Sequence, residues 1–297
     1  MSAISLLRWI DSHHGIDAPV GSPRHIDLLR LGPFIAVHLG CLAVLWTGAS
    51  PIALALAGGL YLVRMFGITA GYHRLFSHRA FEAPRWVAFL FALLGGTAGQ
   101  RGALWWAAHH RHHHRHSDGP EDLHSPARQG FWWSHLGWFL ADGAFRTRLE
   151  LVPDLARHRE LVLLDRFDVI PPVALGAACW ALGAWLGDAW GTSGLQMLAW
   201  YCVSTVVLAH ATFCVNSVMH VWGSRPFATR DGSRNSLLVA LMTLGEGWHN
   251  NHHRYAASAR QGFRWWEIDL SWYALLLLAA CGLVSRLKPV PAALREG

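Results

Sequence analysis

Residues 31–63 read LGPFIAVHLGCLAVLWTGASPIALALAGGLYLV and contain no Asp, Glu, Lys or Arg. A membrane-spanning helix takes about 17–25 apolar residues, so this stretch is too long for one span and long enough for two. The sequence Gly48-Ala49-Ser50-Pro51 interrupts it, and Gly and Pro are strong turn formers. We therefore predict two spans joined by a tight turn, at about 32–48 and 52–70.

A second apolar block extends from Val169 to Ser224 and carries a single charged residue, Asp188. Glycines and small polar residues follow Asp188, as expected of a turn. The block therefore predicts a second helical hairpin, with spans at about 169–187 and 195–218. Four spans in two hairpins are the simplest account of the chain.

The composition agrees with a protein that lies largely in lipid. The sequence is 53% hydrophobic and 15% charged, against roughly 25% charged in ordinary soluble domains. Its 17 Trp suit the two membrane interfaces, where this residue is enriched. The five Cys lie in apolar stretches without paired spacing, so we expect neither a disulfide framework nor a cysteine zinc site.

The distribution of positive charge predicts the orientation. Neither hairpin turn contains Lys or Arg, and loops rich in these residues face the cytoplasm. We therefore expect a cytosolic helical cap made of residues 71–168 and 219–297, in a single domain over 1–297. The shorter apolar runs 86–99 and 270–284 are expected to lie in the membrane interface. The expected location is the bacterial inner (cytoplasmic) membrane.

The formal net charge is +6, and the basic residues are almost all Arg, because Lys288 is the only Lys. Arginine pairs well with phosphates and carboxylates. Lipid head groups, an acyl thioester carrier and an acidic redox partner are all suitable partners. Since no nucleic-acid-binding module is found, we expect no nucleic-acid partner.

Histidine is unusually abundant, with 20 residues that form three clusters. The clusters are His73-Arg-Leu-Phe-Ser-His78, His110-Arg-His-His113-His114 and His249-Asn-Asn-His252-His253. A further polar pair, Asn216 and His220, lies at the end of the last predicted span. Neutral imidazole is a common ligand of iron, copper and zinc.

The H-x-x-H-H spacing places three imidazoles on one face of a helix. The i, i+5 spacing of His73 and His78 is less regular, because these positions lie about 140° apart on an α-helix. Either the two side chains approach different metals or the helix loosens there. The run 109–116 alone would also suit a tract that binds metal loosely. The joint occurrence of three clusters on one predicted membrane side favours a metal site.

These clusters resemble the histidine boxes of the membrane fatty-acid desaturase family, in particular its acyl-CoA, Δ9 (stearoyl-type) branch. The matching stretches are Gly71-Tyr-His-Arg-Leu-Phe-Ser-His-Arg79, Trp106-Ala-Ala-His-His-Arg-His-His-His114, Asn216-Ser-Val-Met-His220 and Gly245-Glu-Gly-Trp-His-Asn-Asn-His-His253. The resemblance covers about residues 30 to 270. It implies a four-span fold with a cytosolic cap that holds two irons.

By this resemblance nine histidines are metal ligands and Asn216 contacts the metal through water. The implied ligands are His73, His78, His110, His113, His114, His220, His249, His252 and His253. His109, His112 and His116 are expected to extend the second box, either as a hydrated surface or as a layer of residues behind its ligands.

The resemblance also implies O2-dependent desaturation of a long fatty acyl chain, with an acyl-CoA substrate of Δ9 type. Breaking unactivated C–H bonds needs a strong oxidant, which side chains do not supply and transition metals do. The acyl chain is expected in a narrow apolar tunnel that aligns one carbon pair with the irons. Gln100, Trp106 and Trp248 are the expected wall residues, and Arg101 and Arg128 are candidates for binding a carrier phosphate.

One departure from the branch concerns the substrate carrier. Animal acyl-CoA enzymes carry Arg-Asp before the second box, where this chain has Ala108 and His109. An acyl-lipid or acyl-carrier-protein substrate is therefore an alternative to acyl-CoA. The electrons are expected from a separate carrier such as a ferredoxin, a rubredoxin or cytochrome b5.

Two rival functions share some of these features. Another histidine-box oxygenase, such as an alkane, sterol or carotenoid hydroxylase, would share metal, oxygen and membrane and differ in product. A metal transporter would place polar residues along its spans, where this chain has little beyond His38 and His210. The element from Asn216 to His220 and the lead into the third box favour the desaturase.

Overall fold

A computed structural model describes residues 10–13 and 25–295. Within that part of the chain the structure is helical, with four isolated β-bridges and no β-strand. The α-helices of four or more residues are Leu28–Cys41, Val44–Thr47, Pro51–Phe66, Arg85–Gly96, Ala103–His116, Pro126–Gln129, Pro153–Ala156, Arg159–Arg166, Ile170–Leu186, Gly194–Asn216, Leu237–Met242, His249–Arg254 and Leu270–Ala280. The π-helices are Gly67–Ser77 and Trp133–Gly137. The 3-10 turns are Trp138–Leu140, Asp142–Ala144, Leu149–Leu151, Gly187–Trp190, Val218–His220 and Ala292–Leu294.

Four helical stretches of the described residues are long and apolar enough to cross a membrane. They are span 1 (Arg30–Thr47), span 2 (Pro51–Ser77), span 3 (Ile170–Trp190) and span 4 (Gly194–His220). Span 4 packs against the other three. The prediction of an all-α membrane fold with four spans in two hairpins is confirmed.

Spans 2 and 4 extend further than the sequence predicted. Each contains 27 residues. The α-helical part of span 4, Gly194–Asn216, alone covers about 35 Å at 1.5 Å per residue, which exceeds the roughly 30 Å hydrocarbon core. The 16 α-helical residues of span 2 cover about 24 Å, and its 11 π-helical residues, which rise less per residue, extend it further. Span 2 was expected to end near residue 70, and it continues to Ser77 because a π-helix prolongs it. The extra turns carry histidines out of the hydrocarbon, on the side opposite the two hairpin turns.

The two turns are hydrogen-bonded to each other. Ser50 caps span 2 by accepting the Ala53 N–H, and its hydroxyl donates to Gln196 Oε1 at 2.6 Å. Gln196 also donates to the Thr47 carbonyl at 2.6 Å, and Ser193 caps span 4. This tie aligns the hairpins at one end, so the other ends of spans 2 and 4 emerge side by side.

Polar residues inside the spans pair with each other. The Arg64 guanidinium is buried and donates to Ser204 Oγ at 2.8 Å and Thr205 Oγ1 at 2.7 Å. The Nε2 atoms of His38 and His210 lie 3.1 Å apart. These contacts join span 4 to spans 1 and 2, and they give both intramembrane histidines a packing role.

The cap consists of the short helices between and after the hairpins. Two of them, Arg85–Gly96 and Leu270–Ala280, are apolar but have only 12 and 11 residues, too few to cross a bilayer. The main apolar core forms where span 2 enters the cap, around Tyr72, Phe81 and Leu104. The histidine clusters lie next to this core.

Candidate metal centre

The nine predicted histidines lie in two groups whose ring nitrogens are within 4.8 Å of one another. Group 1 consists of His73, His78, His110, His114 and His252. Group 2 consists of His113, His220, His249 and His253. Each group draws on more than one sequence cluster, so the centre forms only when the cap folds.

The first cluster lies on the π-helix Gly67–Ser77 and its C-cap, His78. A π-helix closes i→i+5 hydrogen bonds, and the His78 N–H donates to the His73 carbonyl at 3.2 Å. This widened turn brings both side chains into group 1. Of the two alternatives left open by the i, i+5 spacing, the loosened helix is therefore correct.

The second cluster lies on the helix Ala103–His116. Asp165 accepts the Trp105 N–H at 2.8 Å in the first turn of this helix. Arg111 donates to the Phe76 carbonyl at 2.6 Å and the Ser77 carbonyl at 3.1 Å. These carbonyls end the π-helix, so Arg111 holds the second cluster against the first.

The third cluster occupies the helix His249–Arg254, and its two asparagines anchor it. Asn250 Oδ1 accepts the Phe227 N–H at 2.8 Å, and Asn251 Nδ2 donates to Glu267 Oε2 at 2.8 Å. Both asparagines are fully buried. They explain why amide side chains separate the histidines in this cluster.

Four carboxylates, none of them predicted from the sequence, hold imidazole Nδ1 atoms. Glu246 pairs with His73. The separations are 3.1 Å from Asp118 to His220, 3.1 Å from Asp122 to His113 and 2.7 Å from Asp231 to His253. A carboxylate that accepts a hydrogen bond from Nδ1–H fixes the tautomer in which the Nε2 lone pair is free to bind a metal. Of the four, only Glu246 lies in a stretch that the sequence had marked, Gly245-Glu-Gly-Trp248, directly before the third histidine cluster.

The backbone around Glu246 requires glycine. Gly245 has φ +131°, and a Cβ there would overlap Asp269 Oδ1. Asp269 and Glu246 both accept from Arg74, at 2.9 Å and 3.2 Å. This buried cluster fixes the carboxylate that orients His73.

The nitrogen positions fit metal ions better than direct pairing of rings. His252 Nε2 lies 3.0 Å from His73 Nε2 and 2.8 Å from His114 Nε2, and His220 Nε2 lies 3.1 Å from His249 Nε2. Where the Nδ1 proton is held by carboxylate, as in His73 and His220, the Nε2 atom of a neutral ring presents only a lone pair. Nε2 lone pairs that point towards one another at this spacing would repel, and a metal ion bound between them would remove the repulsion.

Six of the nine rings are buried in surroundings that favour the neutral form, which metal ligands must have. Burial and the neighbouring imidazoles hold the pKa well below its ordinary value for five of them. These five are His78, His110, His114, His249 and His252. Burial likewise lowers the pKa of His253 to about 4, although Asp231 opposes this. Burial also lowers the pKa of His113, but nearby carboxylates, chiefly Asp122, outweigh it and the net shift is upward.

An apolar cavity of about 800 Å³ meets the centre. Four of the nine histidines line it: His73, His110, His113 and His249. From there its wall includes Val173, Gly176, Trp180, Leu198 and Cys202 of spans 3 and 4. This volume is typical of a small-molecule pocket.

The predicted substrate residues separate into two sets. Gln100, Arg101 and Trp106 line the cavity, and Asn216 does as well. Trp248 and Arg128 are not among its lining residues in the described chain. Trp248 donates to the Ile268 carbonyl at 2.7 Å, and Arg128 donates to the Asp118 carbonyl at 2.8 Å. Their assignment as substrate residues stays a prediction.

The additional histidines around the second cluster have three different environments. His109 is buried against Trp105 with a ring separation of 4.5 Å. His112 bonds the Glu121 carbonyl at 2.9 Å, and His116 pairs with the Glu121 carboxylate. His124, which was not predicted from the sequence as a site residue, stacks on His113 with a ring separation of 4.4 Å.

The fold and the site define an integral membrane protein with two histidine groups able to hold metal at an apolar cavity. The sequence matches the family described as fatty acid desaturase over residues 49–282. It is 37% identical to an sn-2 palmitoyl-lipid 9-desaturase of Nostoc sp., over 78% of this chain and 79% of that protein. The chain belongs to the fatty acid desaturase family.

Other relatives differ in the acyl carrier that their names state. An sn-1 stearoyl-lipid 9-desaturase of Anabaena variabilis is 36% identical, over 86% of this chain and 91% of that protein. An icosanoyl-CoA 5-desaturase of Limnanthes douglasii is 39% identical, over 75% of this chain and 61% of that protein. Fatty acid desaturation is therefore the shared activity.

Proposed function

We propose that this protein introduces a Δ9-type double bond into long acyl chains of membrane lipids, using O2 and two irons. The observation that carries the proposal is the junction of both histidine groups with one apolar cavity that continues between spans 3 and 4. An acyl chain in this cavity has its methylene groups beside the metal ligands His110 and His249. The hydroxylase alternative would share this arrangement and differ in product.

Groups 1 and 2 would each hold one iron, with Asn216 contacting the metal through water. Nitrogen-rich sites with open positions suit iron that reacts with O2. The irons would supply the oxidising power to remove two hydrogens from the chain. Each turnover converts O2, two hydrogens of the substrate, two external electrons and two protons into two waters.

The protein's own residues position the substrate and exclude water. Trp106 stacks on the His110 ring at 4.8 Å, with an interplanar angle of 24°, and lines the cavity. Gln100 is held by Thr212 at 2.7 Å. Together they give the cavity a rigid wall at the metal ligands, which favours one chain position over others.

The lipid-linked substrate is supported by the names of the Nostoc and Anabaena relatives and by two buried positions. Ala108 and His109, which stand where animal acyl-CoA enzymes carry Arg-Asp, are 0% and 3% exposed. They offer no surface charge to a nucleotide carrier. Acyl-CoA, the substrate expected from the sequence, is the second candidate because the Limnanthes relative is named for a CoA substrate.

The cap is proposed to face the cytoplasm, in the bacterial inner membrane. The support is the positive charge of the cap and the absence of Lys and Arg from both hairpin turns. This side gives a soluble electron carrier access to the centre.

The test is fatty-acid analysis by gas chromatography–mass spectrometry, with derivatisation to locate the double bond, in a host that lacks its own desaturase. We expect a new monounsaturated chain with the unaltered protein and none with His110→Ala or His252→Ala. His116→Ala is the matched control, since it lies on the same helix as His110 and outside both groups. A hydroxylated product, or full activity in His252→Ala, would overturn the proposal.

The acyl carrier of the substrate, lipid or CoA, is identified with purified enzyme in nanodiscs. Lipids with stearoyl chains are compared with added stearoyl-CoA, in the presence of the same reductant. Product in the lipid fraction alone supports the lipid-linked substrate. Product formed only from stearoyl-CoA would instead identify acyl-CoA as the substrate.

A further inference from the structure

The metal centre has two faces, and only one of them meets the cavity. His73, His110, His113 and His249 line the cavity. His78, His114 and His253 do not line it; His78 and His114 are partly exposed, and the 2% exposed His253 ring lies just beneath them. Their rings are neighbours, with centroids 4.6 Å apart for His78 and His114 and 4.4 Å apart for His114 and His253. These three residues form a second, outward face of the centre, which we term the outer edge.

An exposed arginine follows each residue of the outer edge in the sequence. They are Arg79, Arg115 and Arg254. Arg230 is also exposed and precedes Asp231, the carboxylate that holds His253. Each of these four exposed arginines is thus a direct sequence neighbour of an outer-edge histidine or of the carboxylate that holds one.

Most of this charge is not neutralised locally. Arg79 pairs with Asp154 at 2.7 Å. In the described chain, Arg115, Arg230 and Arg254 have no ion pair. The acidic residues nearby have other partners: Asp231 holds His253, Asp118 holds His220, and exposed Glu121 pairs with His116. Arg115, Arg230 and Arg254 therefore carry positive charge that no described carboxylate neutralises.

This surface lies outside the hydrocarbon. His78 directly follows Ser77, the last residue of span 2. The 16 α-helical residues of span 2 cover about 24 Å, and its 11 π-helical residues carry the span beyond the roughly 30 Å apolar core. The arginines therefore face water, where a soluble protein reaches them.

We propose that the outer edge and its arginines Arg79, Arg115, Arg230 and Arg254 form the docking surface for an acidic one-electron carrier protein. The inference rests on the proposed function, since an O2-dependent desaturase needs two external electrons per turnover. Electron transfer weakens steeply with distance, so the carrier must dock where imidazole ligands reach the surface. The cavity occupies the other face, which leaves the outer edge for the reductant.

The first measurement is binding, which does not depend on turnover. The probe is an acidic two-iron, two-sulfur ferredoxin, and the purified protein is held in nanodiscs of uncharged lipid. The test variant is Arg115→Glu with Arg254→Glu. The control, Arg146→Glu with Arg166→Glu, makes the same charge change at exposed residues on the side of Phe145 and Asp168, which line the cavity.

We expect the test variant to raise the dissociation constant of ferredoxin by about tenfold or more at low salt, and the control by less than about twofold. Arg115→Gln with Arg254→Gln should give an intermediate increase. At about 0.5 M salt the difference should largely vanish, because screening shortens the reach of surface charge. Equal affinities in test and control, or no salt-sensitive binding by the unaltered protein, would overturn the inference.

Turnover separates this inference from the proposed function. With ferredoxin as donor, the test variant should need a higher ferredoxin concentration for half-maximal desaturation. With photoreduced deazaflavin, a small reductant, all variants should desaturate at the same rate. A slower rate with deazaflavin, or a raised KM for the acyl substrate, would assign the arginines another role and refute docking. No product from the unaltered enzyme with either donor would count against the proposed function instead.

Discussion

Replacing Asp231 should lower the metal affinity of group 2 and leave that of group 1 unchanged. Its carboxylate lies 2.7 Å from His253 Nδ1 and fixes the ring so that Nε2 faces the other histidines of group 2. Loss of such a partner lowers metal affinity by about 10–100-fold, or roughly 1.4–2.8 kcal/mol. Asp231→Asn keeps an acceptor oxygen and loses the charge, so we expect about tenfold. Asp231→Ala loses both, so we expect about a hundredfold.

The assay is iron content per chain by mass spectrometry, after equilibration with increasing concentrations of a ferrous chelator. The proposed two-iron centre should release iron in two steps in the unaltered protein, and only one of these steps should move to lower chelator concentration in the variants. Asp188→Asn is the control, because Asp188 is exposed in the turn at the opposite end of the spans. If Asp231→Ala released both irons at the same chelator concentrations as the unaltered protein, the role of the carboxylate would be refuted.

Three further predictions concern stability. Gly245→Ala should destabilise the fold by about 1–3 kcal/mol, because Gly245 has φ +131° and no room for a Cβ; an unchanged melting temperature would contradict this. Thr205→Val should cost about 1–3 kcal/mol by leaving an Arg64 N–H without its buried acceptor. Thr47→Val, at a half-buried site where the hydroxyl donates to the Ala43 carbonyl one turn back, should cost less in the same thermal assay. The metal-free protein should lose stability as pH falls from about 6.5 towards 4. The reason is that the pKa of a buried imidazole such as His253 is lower in the folded protein than in the unfolded chain, so the unfolded chain binds more protons in this range. A melting temperature equal at pH 7 and pH 5 would refute this prediction.

The membrane fold could be predicted from the sequence because the spans depend on a local property. An uncharged stretch of sufficient length forms a helix in lipid wherever it lies in the chain. Turn residues at Gly48–Pro51 and after Asp188 divide each block into a hairpin. The ends of the spans were less predictable, since the π-helix that extends span 2 to Ser77 has no apolar pattern of its own.

The metal centre was only partly predictable, for a related reason. Histidine spacing within a cluster identifies candidate ligands, and the structure brings all nine together. Which histidines share a group depends on tertiary contacts such as that of Arg111 with the end of the π-helix. The carboxylates Asp118 and Asp231 lie 102 and 22 residues from the histidines they hold, so no local pattern marks them.

The four carboxylates would also balance the charge of the proposed centre. As ligands the nine rings would be neutral and bring no charge, and burying two divalent cations without compensation would be very costly. Asp118, Asp122, Asp231 and Glu246 together bring four negative charges, equal and opposite to two divalent ions. The buried Arg74–Asp269 pair is neutral by itself and leaves this balance unchanged. In the proposed centre the reduced state is therefore electrically neutral, and the carboxylates that orient the ligands also make the metals stable in the cap.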